Sequence, residues 1–169
     1  AAGIIHTQGY SAGAGSITLS YSVDNTAPVV TAVTTPQASG VYLKDTEITV
    51  NVAFSESVLV SGTPTLTLDA GTRHPVLLYK SGSGTQTLSF VYRVSSGDLT
   101  SALDIDSINA LSLNGGDISD RVGNAADVTL PIPGTNDSLT GDKTLIIDGD
   151  PPAAPQLLAA SGSGSIDLN

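Results

Sequence analysis

The chain has no cysteine, methionine or tryptophan, and aromatic residues make up only 4% of its 169 residues. Without cysteine, disulfide bonds, zinc–thiolate centres and thiol nucleophiles are excluded. Basic residues are also scarce, because six Lys and Arg stand against sixteen Asp and Glu, for a formal net charge of −10. Such a charge repels nucleic-acid phosphates and anionic lipid, so the sequence predicts no nucleic-acid partner and no membrane partner. It suits a chain that meets divalent cations, or one that must stay soluble.

Helical periodicity is missing too. No window of 11 or more residues carries an apolar stripe with the 3.6-residue period of a helix. The chain is instead rich in residues that favour strands and turns, with 18 Gly, 9 Pro, many Ser and Thr, and runs of Val, Ile and Leu. The composition therefore predicts an all-β fold.

Alternation of apolar and polar residues marks the strands, most clearly at Thr46–Phe54 and Thr87–Val94. Further strands are predicted at 29–34, 65–68, 75–79 and 143–147, with weaker patterns at 105–113 and 126–132. Short strands between turn signals are typical of an immunoglobulin-like antiparallel β-sandwich. Its core is predicted to contain two alternating sets, namely Ile48, Val50, Val52 and Phe54, and Leu88, Phe90, Tyr92 and Val94.

Two similar joints frame the middle of the chain. Residues 22–30 and 146–155 each run from a short apolar strand through acidic and turn-forming residues into proline. Proline fixes φ and holds the preceding residue in an extended conformation, which makes each joint stiff. The spacing between the joints is typical of one domain. We therefore predict one complete module at 24–150, the end of a preceding module at 1–23 and the start of a following module at 151–169.

Five stretches occur in a fixed order within this module: Asp24–Pro28, Val52–Val58, Gly62–Leu68, Tyr79–Phe90 and Asp120–Ala126. Together they resemble the bacterial immunoglobulin-like repeats of giant secreted adhesins. The resemblance implies a stalk segment on the bacterial cell surface, with calcium at the joints between modules. Residues 155–168 are similar to the opening of a fibronectin type III module, although the chain ends before the tryptophan that follows in that family.

Calcium is the one metal that the residue pattern favours. It binds carboxylate and carbonyl oxygens, which joints rich in Asp and Asn can supply. Because alternate strands run to opposite poles, the end of the second strand returns to the pole where the first begins. The alternative is that these residues only form turns with solvated side chains. The candidate ligands are Asp24, Asn25, Glu56, Asp120 and Asn124 at one pole, and Asp148 and Asp150 at the other, where Asp45, Asp98 and Asp104 should also gather.

The sequence thus predicts a non-catalytic, extracellular extender module, whose partners are the neighbouring modules of its own chain and a cell-surface glycan or protein. Two alternatives remain open: a carbohydrate- or protein-binding module, and an accessory module of a secreted polysaccharide-degrading enzyme. The tails at 17–23 and 165–168 have strand patterns without modules to cover them. We expect at least one tail to pair with the edge of a sheet, because open strand edges template pairing.

Overall fold

Eleven β-strands and one short helix make up the part of the chain that the computed structural model describes, residues 23–150 and 152. The single helix, α1, has four residues, and no helix in this part has the length and apolar character needed to cross a membrane. The elements are β1 Val30–Thr34, β2 Gly40–Leu43, β3 Glu47–Ser61, β4 Thr65–Asp69, β5 Val76–Ser81, β6 Thr85–Arg93, β7 Leu99–Thr100, β8 Asp104–Ile105, β9 Leu111–Ser112, β10 Asp117–Ser119, α1 Leu139–Asp142 and β11 Leu145–Asp148.

The strands form two sheets. The larger has the order β1-β3-β6-β5-β4-β8, with β10 paired to β3 and β9 to β4, and all its pairings are antiparallel. The smaller has the order β2-β11-β7, in which β11 runs parallel to β2. The predicted all-β antiparallel sandwich is therefore confirmed, with this one parallel pair.

The core lies where the alternation placed it. Both predicted sets are buried, with exposed fractions from 0% to 4%, and β3 and β6 pair directly so that Val50 lies opposite Phe90. Phe90 also packs edge-on against Tyr79, with ring centroids 6.1 Å apart. Residues of the smaller sheet, such as Leu145 and Ile147, join the same core. One hydrophobic core thus holds both sheets together.

Several predicted elements need correction. The pattern at 126–132 forms no strand, because the carboxylate of Asp127 takes the backbone N–H of Thr129 and because Pro131 and Pro133 have no N–H for a ladder. The stretch 105–113 is split into β8 and β9 by a turn in which Ala110 donates to the carbonyl of Ser107. Strands β2, β7 and β10 and helix α1 were not predicted, since each has four residues or fewer.

The two joints lie at opposite ends of the first part of β3, Glu47–Ser55, which precedes the end of the strand at Ser61. At one end, Ser55 donates its N–H to the carbonyl of Val29, just after the first joint. At the other end, Glu47 pairs with Arg93 of β6. The loop after β6 contacts the second joint through Ser96 and Gly97, which bind Asp150. Ser55 follows Glu47 by eight residue steps along the strand, a distance of about 27 Å. We call these ends the Asp24 pole and the Asp150 pole.

The predicted tails 1–23 and 151–169 lie outside the described residues, apart from Val23 and Pro152. Their assignment to neighbouring modules, and the pairing of 17–23 or 165–168 with a sheet edge, therefore stay predictions.

Candidate functional site

Three carboxylates meet at the Asp24 pole. One oxygen each from Asp24, Glu56 and Asp120 lies within 4.8 Å of the other two. They come from three distant parts of the chain: the first joint, the middle of β3 and the turn after β10. Counting strands had predicted that these three residues share a pole, and the structure brings them together.

A bulge in β3 places Glu56 at this pole. Ala53 pairs with Thr87 and Val58 with Thr85, so five residue steps on β3 oppose two on β6. The extra residues leave the ladder and bend the strand, which lets a polar side chain project from an otherwise alternating sequence. The hydroxyl of Ser55 in the same bulge accepts the N–H of Val29, which fixes the joint beside it.

A tight turn holds Asp120, which is only 4% exposed. Its Oδ1 accepts the backbone N–H groups of Val122 and Asn124, each at 2.8 Å, and its Oδ2 accepts the side-chain amide of Asn124 at 2.6 Å. Desolvation raises the pKa of Asp120, but the hydrogen bonds from Asn124, Val122 and Gly123 outweigh it, so the net pKa is lowered. Asp120 is therefore an ionised carboxylate at neutral pH.

The pKa of Glu56 is shifted in the opposite direction. Desolvation, followed by the negative charges of Asp24 and Asp120, raises its pKa above the ordinary value of 4.5. The three carboxylates therefore repel one another, and a cation between them would remove that repulsion.

The carboxylates line an open cleft of about 390 Å³, together with Ser57, Gln86, Arg121 and Val122. None of the four ion pairs among the described residues involves Asp24, Glu56 or Asp120. Oxygens within 4.8 Å of one another can surround a Ca²⁺ ion, whose ligand distances are about 2.3–2.6 Å. The donor set is all oxygen, so it fits calcium better than a softer metal.

Asn124 reaches the same pole in a different role from the one predicted for it. Its side-chain amide donates to the backbone carbonyls of Asp24 and Thr26, at 3.2 and 3.3 Å, as well as to Asp120. It thereby fastens the first joint to the turn after β10. Asn25, the remaining candidate at this pole, is exposed.

The two predicted ligands at the Asp150 pole, Asp148 and Asp150, each accept hydrogen bonds separately. Asp150 accepts the hydroxyl of Ser96 at 2.5 Å and the N–H of Gly97 at 2.8 Å, and Asp148 accepts the N–H of Asp150 at 3.2 Å. Within residues 23–150 and 152, neither belongs to a group of three acidic side chains close enough to share an ion. The predicted ligands Asp148 and Asp150 thus form turn and loop contacts.

Two other acidic residues, predicted to gather at the Asp150 pole, are buried in hydrogen-bond networks. Asp98 accepts the hydroxyl of Tyr92 at 2.7 Å and lies 3.1 Å from Nε of Arg73. Desolvation, and then this hydrogen bond, raises the pKa of Tyr92. Asp104 instead ties β8 to the segment 134–140, through bonds from Gly134, Ser138, Leu139 and Thr140. Neither network was predicted from the sequence, because the residues that flank Asp98 and Asp104 are of the kinds that also flank an aspartate in a turn.

No protein-family model matches this chain, and neither a curated protein nor a solved structure is similar enough to count as a match. The adhesin-like resemblance of the five stretches therefore stays a hypothesis.

Proposed function

We propose that this module is a non-catalytic extender of a repetitive extracellular bacterial protein, a rigid spacer that holds neighbouring modules apart. The observation that supports it best is the position of the two joints. The chain enters at the Asp24 pole and leaves at the Asp150 pole, about 27 Å further along β3. An entry and an exit at opposite ends are the arrangement that a tandem spacer needs.

Both joints are tied to the body of the module. Asn124 binds the carbonyls of Asp24 and Thr26 at the first joint, and Ser96 and Gly97 bind the carboxylate of Asp150 at the second. A pull on the chain ends would therefore reach the sandwich through these contacts. Strands β1 and β11 would carry the load along their length, against several ladder hydrogen bonds at once.

Calcium at the Asp24 pole belongs to the same proposal. The cluster contains Asp24 of the joint itself, Glu56 of strand β3 and Asp120 of the turn after β10. An ion between them would link the joint to the module and remove the repulsion from Asp24 and Asp120, which adds to desolvation in raising the pKa of Glu56. The preceding module would then be held at a fixed angle.

No particular observation favours the two alternatives, a glycan- or protein-binding module and an accessory module of a polysaccharide-degrading enzyme. Sugar binding commonly uses exposed aromatic faces, but the five aromatic residues in the described part are buried or half-buried. The full-length protein separates these two functions, because tandem copies of the module would indicate a stalk and a catalytic domain would indicate an accessory module.

The experiment that tests the proposal is to pull the full chain from its two ends in a single-molecule force apparatus, first in EDTA and then in millimolar calcium. We expect one cooperative unfolding event for the module, at a higher force in calcium because a ligand of the native state stabilises it. Magnesium serves as the control cation, since it demands a tighter octahedral site. Extension without a force peak would refute the spacer role, and a force unchanged by calcium would refute the metal site alone.

A further inference from the structure

The turn between β9 and β10 contains the one Asn-Gly pair of the chain, Asn114-Gly115. The backbone N–H of Gly116 donates to the carbonyl of Leu113 at 2.8 Å, which closes the turn. Asn114 and Gly115 both have positive φ, 49° and 77°, as the central residues of a type I′ turn do. Both residues are exposed. The fold thus presents an asparagine amide, and the peptide nitrogen that follows it, to water.

These two groups can react with each other. When the N–H of Gly115 loses its proton to hydroxide, the nitrogen can attack Cγ of Asn114. The new N–Cγ bond closes a succinimide ring, while the amide C–N bond breaks and its nitrogen leaves as ammonia after taking a proton from water. Water then opens the ring: cleavage of the N–Cγ bond gives aspartate, and cleavage between the nitrogen and the main-chain carbonyl carbon gives isoaspartate. The attack is intramolecular, so water is the only co-reactant.

The nitrogen of Gly115 is open to this reaction. Within residues 23–150 and 152, its N–H donates to no acceptor. A Cβ added to Gly115 would meet nothing within 4 Å, and glycine moves through more of φ and ψ than other residues, which lets the nitrogen approach Cγ. The side-chain amide of Asn114 donates to the carbonyl of Thr63 at 3.2 Å, an exposed contact that water can replace. The fold therefore leaves both reacting groups accessible.

The other asparagines of the described part lack this combination. Asn109 is also exposed, but it precedes Ala110, which is 6% exposed and donates its N–H to the carbonyl of Ser107. Asn124 precedes Ala125, and its amide makes three hydrogen bonds. The remaining three are each followed by a residue whose side chain crowds the nitrogen: Asn25, Asn51 and Asn136.

We propose that Asn114 is a site of spontaneous deamidation in the folded protein, so that the turn slowly acquires a negative charge or an isoaspartyl bond. The aspartate product replaces the amide that donates to Thr63 by a carboxylate, which repels that carbonyl oxygen. The isoaspartate product lengthens the main chain by a methylene group in a tight place, because even a Cβ on Gly116 would collide with the carbonyl oxygen of Ser61. Ser61 pairs with Asp117, so both products should loosen β10 from β3.

The affected strand leads to the Asp24 pole. β10 ends at Ser119, and Asp120 follows it directly. A weaker pairing of β10 with β3 would therefore also loosen the turn that holds Asp120. The modification site itself depends neither on the spacer role nor on calcium.

The test incubates the folded full chain in mildly alkaline buffer made with heavy-oxygen water, and peptide mapping by mass spectrometry follows each asparagine over time. We expect Asn114 to take up heavy oxygen about tenfold faster than Asn109, because it precedes an unbonded N–H on a residue without a side chain. Equal rates at Asn114 and Asn109 would overturn the proposal. Modification of Asn114 in urea alone would overturn it too, because the reaction would then belong to the unfolded chain.

Three variants separate the reaction from its consequence. Gly115→Ala should slow the uptake at Asn114, because its methyl group crowds the nitrogen, and an unchanged rate would contradict the mechanism. Asn114→Asp reproduces the aspartate product and should lower the melting temperature, since its carboxylate faces the carbonyl of Thr63. Asn109→Asp is the control, because it adds the same charge at an exposed position and should leave the melting temperature close to the wild type. Equal shifts in the two Asp variants would overturn the assigned consequence.

Discussion

The side-chain amide of Asn124 donates a hydrogen bond to the backbone carbonyl of Asp24, 3.2 Å away and 100 residues earlier in the chain. The same amide reaches Thr26 and Asp120. One half-buried side chain therefore joins the first joint to the turn after β10. Because this contact holds the acidic cluster together, it is the most informative place to perturb the pole.

Substitution of Asn124→Ala should lower the free energy of unfolding by about 1–2 kcal/mol, since it removes several hydrogen bonds of modest net value. It should also weaken any calcium binding, because Asp24 and Asp120 would no longer be held together. Urea unfolding and calorimetric titration measure the two effects. Asn109→Ala is the control, because Asn109 is exposed and its side chain makes no hydrogen bond in the described part. Equal losses in both variants would contradict the assigned role.

Asp104 and Asp106 offer a matched pair of carboxylates two residues apart. Asp104 is 7% exposed and accepts hydrogen bonds from Ile105, Gly134, Ser138, Leu139 and Thr140. Asp104→Ala should cost about 2–4 kcal/mol, because several donors would be left buried without an acceptor.

Asp106→Ala removes only an exposed contact with Nδ1 of His74, at 2.6 Å. Surface ion pairs of this kind contribute about 0–1 kcal/mol, so this variant should stay close to the wild type. The urea midpoints of the Asp104→Ala and Asp106→Ala variants, measured side by side, test this difference in stability. If the two substitutions cost the same, the buried network of Asp104 does not stabilise the fold as described.

Phe90 gives the corresponding test of the core. It is fully buried and packs against Tyr79, so Phe90→Ala should cost about 3–5 kcal/mol from lost burial and the cavity left behind. Val76→Ala, at a 62% exposed position of the neighbouring strand, should change stability by no more than about 0.5 kcal/mol. An unchanged urea midpoint for Phe90→Ala would mean that the core lies elsewhere.

These residues also explain how far the sequence could predict the structure. The register of β3 and β6 was predictable, because Val50 and Phe90 lie in strands with strict alternation and one buried face. The meeting of Glu56 with Asp24 was predictable from strand direction alone. Both predictions depend on periodicity, which a single sequence displays directly.

The other features depend on contacts between distant residues. The bulge that projects Glu56 has no glycine or proline to mark it, and its only signal in the sequence is three consecutive polar residues, Ser55–Ser57, which interrupt the alternation. Asp98 and Asp104 occur in stretches rich in Gly, Ser and Asp, so they look like turn residues. The contacts that bury them include distant partners, namely Arg73 for Asp98, beside its near neighbour Tyr92, and segment 134–140 for Asp104.

The raised pKa of Glu56 predicts that the Glu56→Gln substitution has opposite effects on stability without calcium and with it. A carboxyl group whose folded-state pKa is raised destabilises the native state when it ionises, so the penalty is absent below pH 4.5 and develops as the pH rises through the folded-state value. In EDTA at pH 7, Glu56→Gln should therefore raise the melting temperature, and the gain should vanish below pH 4.5. In calcium, the same variant should lose part of the stabilisation that the ion gives the wild type.

Glu47→Gln is the control for this reversal, because Glu47 is an exposed glutamate of the same strand at the opposite pole. It removes one negative charge, as Glu56→Gln does, and so it reproduces any general effect of net charge on stability. Melting curves of both variants and the wild type, at pH 4 and pH 7 and with EDTA or calcium, complete the comparison. A gain in EDTA that is equal for both variants would assign the effect to net charge. A gain for Glu56→Gln alone, reversed by calcium, would place the repulsion and its relief at the Asp24 pole.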